Sequence, residues 1–331
     1  MWPLTDTVPK GLLPVAGVPF IELQFRLLAE VGVEEVIVAI GTSHESAWRT
    51  YAEGTTSPIV HLAVEQSKLD TAGPLVAVRD ELDDRFLVLN GDVVLEGSLG
   101  QFVEDAPDLP AVLSLVGVED TSAYGVVVTN DLGKVERFIE KPPPGTAPTN
   151  AVNAGMYLMS RSVFDAYDEG ALSFEQTVFP SLVEQGLLGG VKIDGVWLDI
   201  GTPPLYLQTH RDVAAGNSRL VNMEPAHHGI GANVAGDLDG NWNFIGPGAV
   251  VEEGARVRES IVLAGATIRS GSVVEDSIVG WNAVVENARI SDTTVIGAGA
   301  VVGEGCELTA GVRIGPGSSL SARSVTFEPP S

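Results

Sequence analysis

The sequence predicts an α/β layered domain over residues 1–216, a linker and lead-in over 217–239, and an all-β solenoid over 240–324. Two observations predict it. Through the first two-thirds, short apolar strands alternate with helices, the pattern of a doubly wound layer structure. From residue 240 to 307 the chain repeats itself every seventeen residues, which marks a stack of short coils.

In the first part, "PFIELQFRLLAEVG" spaces its apolar residues as a helix does and stops at Gly32, a natural C-terminal cap. "EEVIVAIG" follows as a continuously apolar strand of the kind buried in a parallel sheet. The alternation returns in "IVHLAVE", "TAGPLVAVRDEL", "FLVLNGD" and "AVLSLVGV". Residues 120 to 200 are richer in strand, with a hairpin in "VVVTNDLGKVERF" whose turn holds Asn130, Asp131 and Gly133. A helix in "PPLYLQTHRDVAAG" closes the region near Gly216.

In the second part the four copies align Ile245, Val262, Val279 and Ile296 in one column and Val251, Ile268, Val285 and Val302 in another. One inward aliphatic per short strand, with small residues at the turns, predicts a core of stacked aliphatics. "LTAGVRIGPGSSL" continues the pattern with a one-residue slip and caps it. The pattern resembles the hexapeptide repeats of left-handed β-helices, whose coils are three-sided.

Composition narrows the function. The 331 residues are 44% hydrophobic, yet no apolar run reaches the ~20 residues of a membrane span. No signal-peptide pattern is visible, and Cys306 is the single cysteine, which excludes an internal disulfide framework and a cysteine metal cluster. A cytoplasmic location is the default. The net charge of −25 argues against nucleic acid or an anionic membrane as partner. It also draws attention to the five lysines, Lys10, Lys68, Lys134, Lys141 and Lys192, as the counter-charges an anionic substrate would need.

Four stretches carry candidate chemistry. "FLVLNGD" ends an apolar strand in Asn90, Gly91 and Asp92, and "GVWLDIGTP" ends one in Asp199. Carboxylates at the carboxyl ends of such strands face the crevice where α/β proteins bind ligands, and two of them suit Mg2+. Each serves equally well as the cap of the turn that follows. "ERFIEKP" places Glu140 and Lys141 at a strand end, as a phosphate contact or as a solvated charge pair. "VPKGLLPVAG" holds Lys10 in a loop braced by prolines.

In order along the chain, "PLTDTVPKGLLPVAGVPFIE", "TAGPL", "FLVLNGD", "ERFIEKP", "NAGMYL" and "GVWLDIGTPPLYL" resemble the motifs of sugar-1-phosphate nucleotidylyltransferases, and the resemblance covers essentially the whole chain. The C-terminal left-handed β-helix is similar to that of mannose-1-phosphate guanylyltransferases and glucose-1-phosphate adenylyltransferases; mannose with GTP is the expected pair, with glucose and ATP, dTTP or UTP as the alternatives. The resemblance implies a Rossmann-like nucleotidyltransferase domain that joins a nucleoside triphosphate to a sugar 1-phosphate and releases pyrophosphate. It implies that Asp92 and Asp199 hold Mg2+, that Lys141 binds the sugar phosphate and that Lys10 contacts phosphates. Lys10, Lys141 and Asp92 would be the catalytic set. Glu140, Gly125, Asn153 and Gly155 would line the sugar pocket. Glu65, Thr71, Ala72, Gly73, Asn90 and Gly91 would meet the nucleotide, with a weak preference for guanine through the Glu65 carboxylate. A homo-oligomer assembled through the β-helix is expected.

The sequence departs from the family at two places. "VEQSKLDTAGPL" has Lys68 where relatives carry Pro and Asp70 where they carry Gly. More seriously, the strand and the G-G-x-G-T-R loop that precede "PLT" in the family are absent, with Met1 and Trp2 in that interval. The resemblance therefore implies a natural start upstream of Met1. It also implies a sheet with unpaired backbone and an exposed apolar slot, in a chain that is weakly stable and nearly inactive as given. Two other functions compete. A non-catalytic regulatory subunit would explain a lost triphosphate loop, but Asp92, Lys141 and Asp199 persist. A hexapeptide acyltransferase would need a general-base histidine, and the coils from 240 onward have none; His227 and His228 precede them and read as linker residues.

Overall fold

The computed structural model describes residues 1–224 and 226–326. Residue 225, within the expected 217–239 linker, lies outside the described residues. Contacts divide the chain into two compact units, Gln24–Leu198 and a second made of Met1–Leu23 with Asp199–Ser331.

Two short strands, β1 (Pro14–Val15) and β2 (Val18–Pro19), form a ribbon ahead of helix α1 (Phe20–Ala29). Phe20, Leu23, Leu27 and Leu28 form the buried stripe of α1, and Gly32 takes the left-handed φ of +75° just beyond it. There follow β3 (Glu35–Gly41), α2 (Glu45–Gly54), β4 (Ile59–Glu65), α3 (Gly73–Ala77), β5 (Arg85–Leu89), β6 (Val93–Glu96), α4 (Leu99–Asp105) and β7 (Ala111–Gly117). The β-rich stretch comprises β8 (Gly125–Thr129), β9 (Val135–Glu140) and β10 (Ala151–Ser160), then α5 (Phe179–Gln185), β11 (Leu188–Lys192) and β12 (Val196–Asp199). The last helix is α6 (Pro203–Ala214).

The principal sheet of the first unit runs β11-β7-β10-β8-β9, with β5 also paired to β10. Its pairings are antiparallel except β11 with β7, so this sheet is mixed rather than parallel. "AVLSLVG" in β7 is buried from Ala111 to Val116, as a continuously apolar central strand should be. Beneath it Tyr157, Phe174 and Phe179 form an aromatic cluster with ring centroids 5.0–5.4 Å apart. Each such ring contributes about 2–3 kcal/mol by burial.

"EEVIVAIG" does not fit its expected burial. It pairs in parallel with β4, but Val36, Ile37 and Val38 stay half-buried and Ala39 is exposed. The reason is topological: among the described residues β3 pairs with β4 alone and β5 with β10 alone. Both therefore present an unpaired edge.

In the second unit the seventeen-residue period becomes a parallel solenoid of three faces carrying, among the described residues, six, six and five strands. Ile245, Val262, Val279 and Ile296 stack in register, then Ile314 after the one-residue slip. Val251, Ile268, Val285, Val302 and Leu320 form the second column and Val257, Val274, Ile290 and Leu308 a third. These aliphatics are the solenoid core, and Cys306 is buried with them. The turns need left-handed residues, which Gly248, Gly265 and Gly299 supply at one corner with φ of +65° to +70°, while Asn282 takes the same place at +55°.

One expectation is corrected here. His227 and His228 are not linker residues; they lie in Ala226–His228, the first strand of the solenoid, paired with Asn243–Ile245. The polar lead-in hid this coil, because its second strand, Asn233–Val234, offers a single aliphatic. The His227 ring stacks on Phe244 at 5.1 Å and 9°, so it is a packing residue. That first face also buries the outward side chains Phe244, Ile261, Ile278 and Val295, and His210 of α6 lies 5.4 Å from the Phe244 ring. The loop at Gly17 lies against both His227 and Phe244.

Candidate functional site

Within the Gln24–Leu198 unit, strand pairing gathers motifs that lie far apart in sequence. β5 runs antiparallel to β10 with Leu89 opposite Met156, so the Asn90-Gly91-Asp92 turn emerges beside Asn153–Gly155. The Asn90 N–H donates to the Gly155 carbonyl at 2.8 Å. β10 meets β8 at Val152 and Val126, and in the β8–β9 hairpin Gly125 faces Glu140. Asn90, Gly91, Asp92, Gly125, Glu140, Lys141, Asn153 and Gly155 thus share one end of the sheet.

Glycine is required at two of these positions. Gly155 has φ of +79°, and a Cβ there would come 2.6 Å from Val93 Cγ2 and 3.0 Å from Asn90 Nδ2. A Cβ at Gly125 would come 2.6 Å from Phe138 Cζ and 3.0 Å from Glu140 Oε2. Gly155→Ala is therefore expected to lower stability by roughly 1–3 kcal/mol and to displace Asn90, which a denaturant titration checks. A loss below ~0.5 kcal/mol would contradict the packing argument.

Lys141 is unusual in its backbone, with a φ of +45° that non-glycine residues rarely adopt. Its N–H donates to the Tyr124 carbonyl at 3.1 Å, and its Nζ lies 3.2 Å from Glu140 Oε1. The lysine side chain is 65% exposed, so this pair is worth little as a stabilising contact and leaves the ammonium open to an anion.

A polar network backs the turn. Gln24 on α1 donates to the carbonyls of Asn90 and Val93 at 2.7 and 2.9 Å. Asn153 donates to the Tyr157 hydroxyl at 3.1 Å and accepts from the Gly155 N–H at 3.0 Å, and the Tyr157 hydroxyl donates to Asn90 Oδ1 at 3.4 Å. Burial raises the Tyr157 phenol above its ordinary value, which keeps it protonated and able to donate. Trp197 donates to the Ala154 carbonyl at 3.2 Å and packs edge-on against Tyr124 at 4.9 Å. Gln24, Tyr157 and Trp197 escaped the sequence reading. Gln24 did leave a signal: it is a polar residue one turn from Phe20 and from Leu28 on the apolar stripe of its helix.

Glu65 ends β4, and its Oε2 accepts from the Leu69 N–H at 3.1 Å, so one carboxylate oxygen closes its own loop. Thr71, Ala72 and Gly73 lead into α3, with the Ala72 and Gly73 N–H groups both donating to the Leu172 carbonyl. Asp70 has φ of +63°, the backbone for which glycine is suited.

Lys10 and Asp199 belong to the other unit. Lys10 opens a 3₁₀ turn, Lys10–Leu12, after Pro9. Asp199 ends β12; its Oδ1 accepts from the Gly201 N–H at 2.6 Å, and its carbonyl accepts from the Thr209 hydroxyl. The capping role is thus real for the turn, while Thr202 caps α6 itself through the Leu205 N–H. Among the described residues no group of three or more His, Cys, Asp or Glu side chains converges as a metal cluster. A carboxylate such as that of Asp92 is the hard oxygen donor that a divalent ion takes together with phosphate and water.

A family model described as nucleotidyl transferase matches residues 1–216. The chain belongs to the nucleotidyl transferase family. A second model, the GMPPB C-terminal domain, matches residues 239–326 of this nucleotidyl transferase. A probable mannose-1-phosphate guanylyltransferase 1 of Oryza sativa subsp. japonica is 34% identical over 283 residues, which is 79% of this chain and 77% of the relative. The bifunctional protein GlmU of Methanococcus maripaludis is 29% identical over 78% of this chain and 59% of its own. Among solved structures, HddC of Yersinia pseudotuberculosis superposes with a TM-score of 0.54 at 24% identity, covering 62% of this chain and 90% of that one. A putative glucose-1-phosphate thymidylyltransferase of Bacillus anthracis gives 0.57 at 22%, covering 64% and 89%. These structures share the fold of the nucleotidyl transferase. No helix among its described residues is long and apolar enough to cross a membrane.

Proposed function

We propose that this nucleotidyl transferase joins a nucleoside triphosphate to a sugar 1-phosphate and releases pyrophosphate, with GTP and mannose 1-phosphate as its pair. The observation that carries the reading is the gathering of Asn90–Asp92, Gly125, Glu140–Lys141 and Asn153–Gly155 at one end of one sheet. The relatives named as mannose-1-phosphate guanylyltransferases support the choice of pair.

In this reading the sugar phosphate oxygen attacks the α-phosphorus in line, so the protein chiefly positions and neutralises. The exposed Lys141 ammonium holds the sugar phosphate. Glu140 accepts from sugar hydroxyls, and Asn153 and Gly155 bound the pocket. Thr71–Gly73 and Asn90–Gly91 meet the nucleotide, and Glu65 offers its second carboxylate oxygen to the base. Lys10 serves the phosphates, on the strength of the family resemblance. Asp92 and, from the resemblance, Asp199 would hold Mg2+, which neutralises phosphate charge when bound. The same resemblance supports a homo-oligomer built through the solenoid, which light scattering would test.

A panel of triphosphates and sugar 1-phosphates, read by pyrophosphate release, tests the reaction. Release is expected to be greatest with GTP and mannose 1-phosphate. Preference for another pair would overturn the substrate assignment. No release and no binding with any pair would overturn the catalytic reading in favour of a non-catalytic subunit.

A further inference from the structure

The stretch Leu172–Val178 has no strand or amphipathic pattern to mark it, yet the Thr71–Gly73 loop hangs on it. The Thr71 hydroxyl donates to Glu175 Oε2 at 2.8 Å and accepts from the Phe174 N–H at 2.9 Å. The Ser173 hydroxyl donates to the same Glu175 oxygen at 3.0 Å and accepts from the Gln176 N–H at 3.2 Å. The Leu172 carbonyl takes both the Ala72 and Gly73 N–H groups, at 2.8 and 3.1 Å, and the Leu172 N–H returns to the Leu69 carbonyl. The two backbones approach so closely that a Cβ at Gly73 would strike the Gly170 carbonyl oxygen.

The backbone beneath is also out of the ordinary. Phe174–Val178 is a π-helical turn, a rare geometry that recurs at functional sites. It sets the half-buried Glu175 carboxylate against the Thr71 hydroxyl of the loop. On the opposite side Phe174 packs against Tyr157, 5.4 Å between ring centroids, and Tyr157 carries the network to Asn153 and Asn90.

We propose that Glu175 is a positioning residue for the nucleotide loop, because its carboxylate, by accepting from Thr71 and Ser173, fixes the backbone that the triphosphate substrate meets. The proposal rests on the reading of Thr71–Gly73 as nucleotide-binding. Glu175 touches no reacting atom in this arrangement. Its effect should therefore fall on nucleotide affinity and not on the sugar phosphate or on turnover.

The test compares Glu175→Ala and Glu175→Gln with the parent chain by GTP titration, by steady-state kinetics and by hydrogen exchange of the segment spanning 69–77. Glu175→Ala is expected to weaken GTP about tenfold, the worth of one hydrogen bond to a charged group. The KM for sugar phosphate and kcat should stay within about twofold, and the Ala72 and Gly73 amides should exchange faster. Glu175→Gln still accepts from both hydroxyls and should recover GTP affinity to within about threefold of the parent. Uniform loss in both KM values and kcat, in step with a lowered Tm, would mean a general structural role and would overturn the proposal. If the parent chain binds and turns over no substrate pair, the function reading fails by itself, and exchange still decides the positioning. Faster exchange confined to 69–77 would uphold the anchor, and unchanged exchange would overturn it.

Discussion

Asp92→Asn is expected to cut pyrophosphate release by at least about 100-fold while leaving the melting temperature unchanged within a degree or two. The substitution keeps the shape of the side chain and removes its charge. In the proposed reaction that charge would help to hold Mg2+, whose chemistry there would be to neutralise phosphate charge. Asp92 follows Asn90, whose backbone is held by Gly155 and by Gln24, so the turn should keep its conformation when the carboxylate becomes an amide. Steady-state rates at saturating and limiting substrate separate the alternatives. Loss in kcat and in kcat/KM together is the expected signature of a group needed in the transition state. Activity within tenfold of the parent would remove Asp92 from the site.

The second large effect concerns stability and pH. His210 on α6 is fully buried, edge-on to Tyr206 at 4.7 Å and stacked near Trp242 at 6.0 Å. Its Nε2 accepts from the Ala16 N–H at 3.4 Å, which leaves Nδ1 to donate to the Tyr206 carbonyl at 3.0 Å. The neutral ring satisfies both contacts, whereas a proton on Nε2 would face another donor. Burial lowers its pKa from 6.5 to about 4, the bond to the Tyr206 carbonyl works against this, and His227 adds a smaller lowering. Below 6.5 the unfolded chain takes up a proton that the folded chain refuses. Folding stability is therefore full above about pH 6.5 and falls as the pH drops towards 4, by about 3 kcal/mol across that window. His210→Gln keeps a donor and an acceptor without the titration. Its unfolding free energy should be lower at pH 7 but flatter from pH 6.5 to 4 than that of the parent. Parallel pH profiles for the two proteins would refute the assignment.

The solenoid was legible because its signal is periodic and local. A coil places one aliphatic inward per strand, so Ile245, Val262, Val279 and Ile296 must recur at the same interval to stack. Legibility failed at Asn233–Val234, where one aliphatic carries a whole strand and neighbouring coils supply the rest of the packing. In the α/β part, the burial of β7 followed from its apolar run, while the same kind of run in β3 ended half-buried because burial depends on which strands lie alongside.

The candidate site divides in the same way. Asp92, Lys141, Asn153 and Asp199 could be named because they stand in ordered motifs that resemble those of a known family; read singly, each Asp serves equally well as a cap and Lys141 as a solvated charge. Gln24, Tyr157, Trp197 and Glu175 could not, because each is defined by a partner between 43 and 104 residues away. By itself the sequence determined the two-part architecture, the register of the repeats and the ordered motifs on which the proposed phosphate, sugar and metal contacts rest. All of these depend on spacing along the chain and on side-chain chemistry. Only the tertiary structure decided that Asn90 lies against Gly155, that Thr71 is anchored on a π-turn and that His210 must stay neutral. Those facts arise from hydrogen bonds and burial between segments that no local pattern relates.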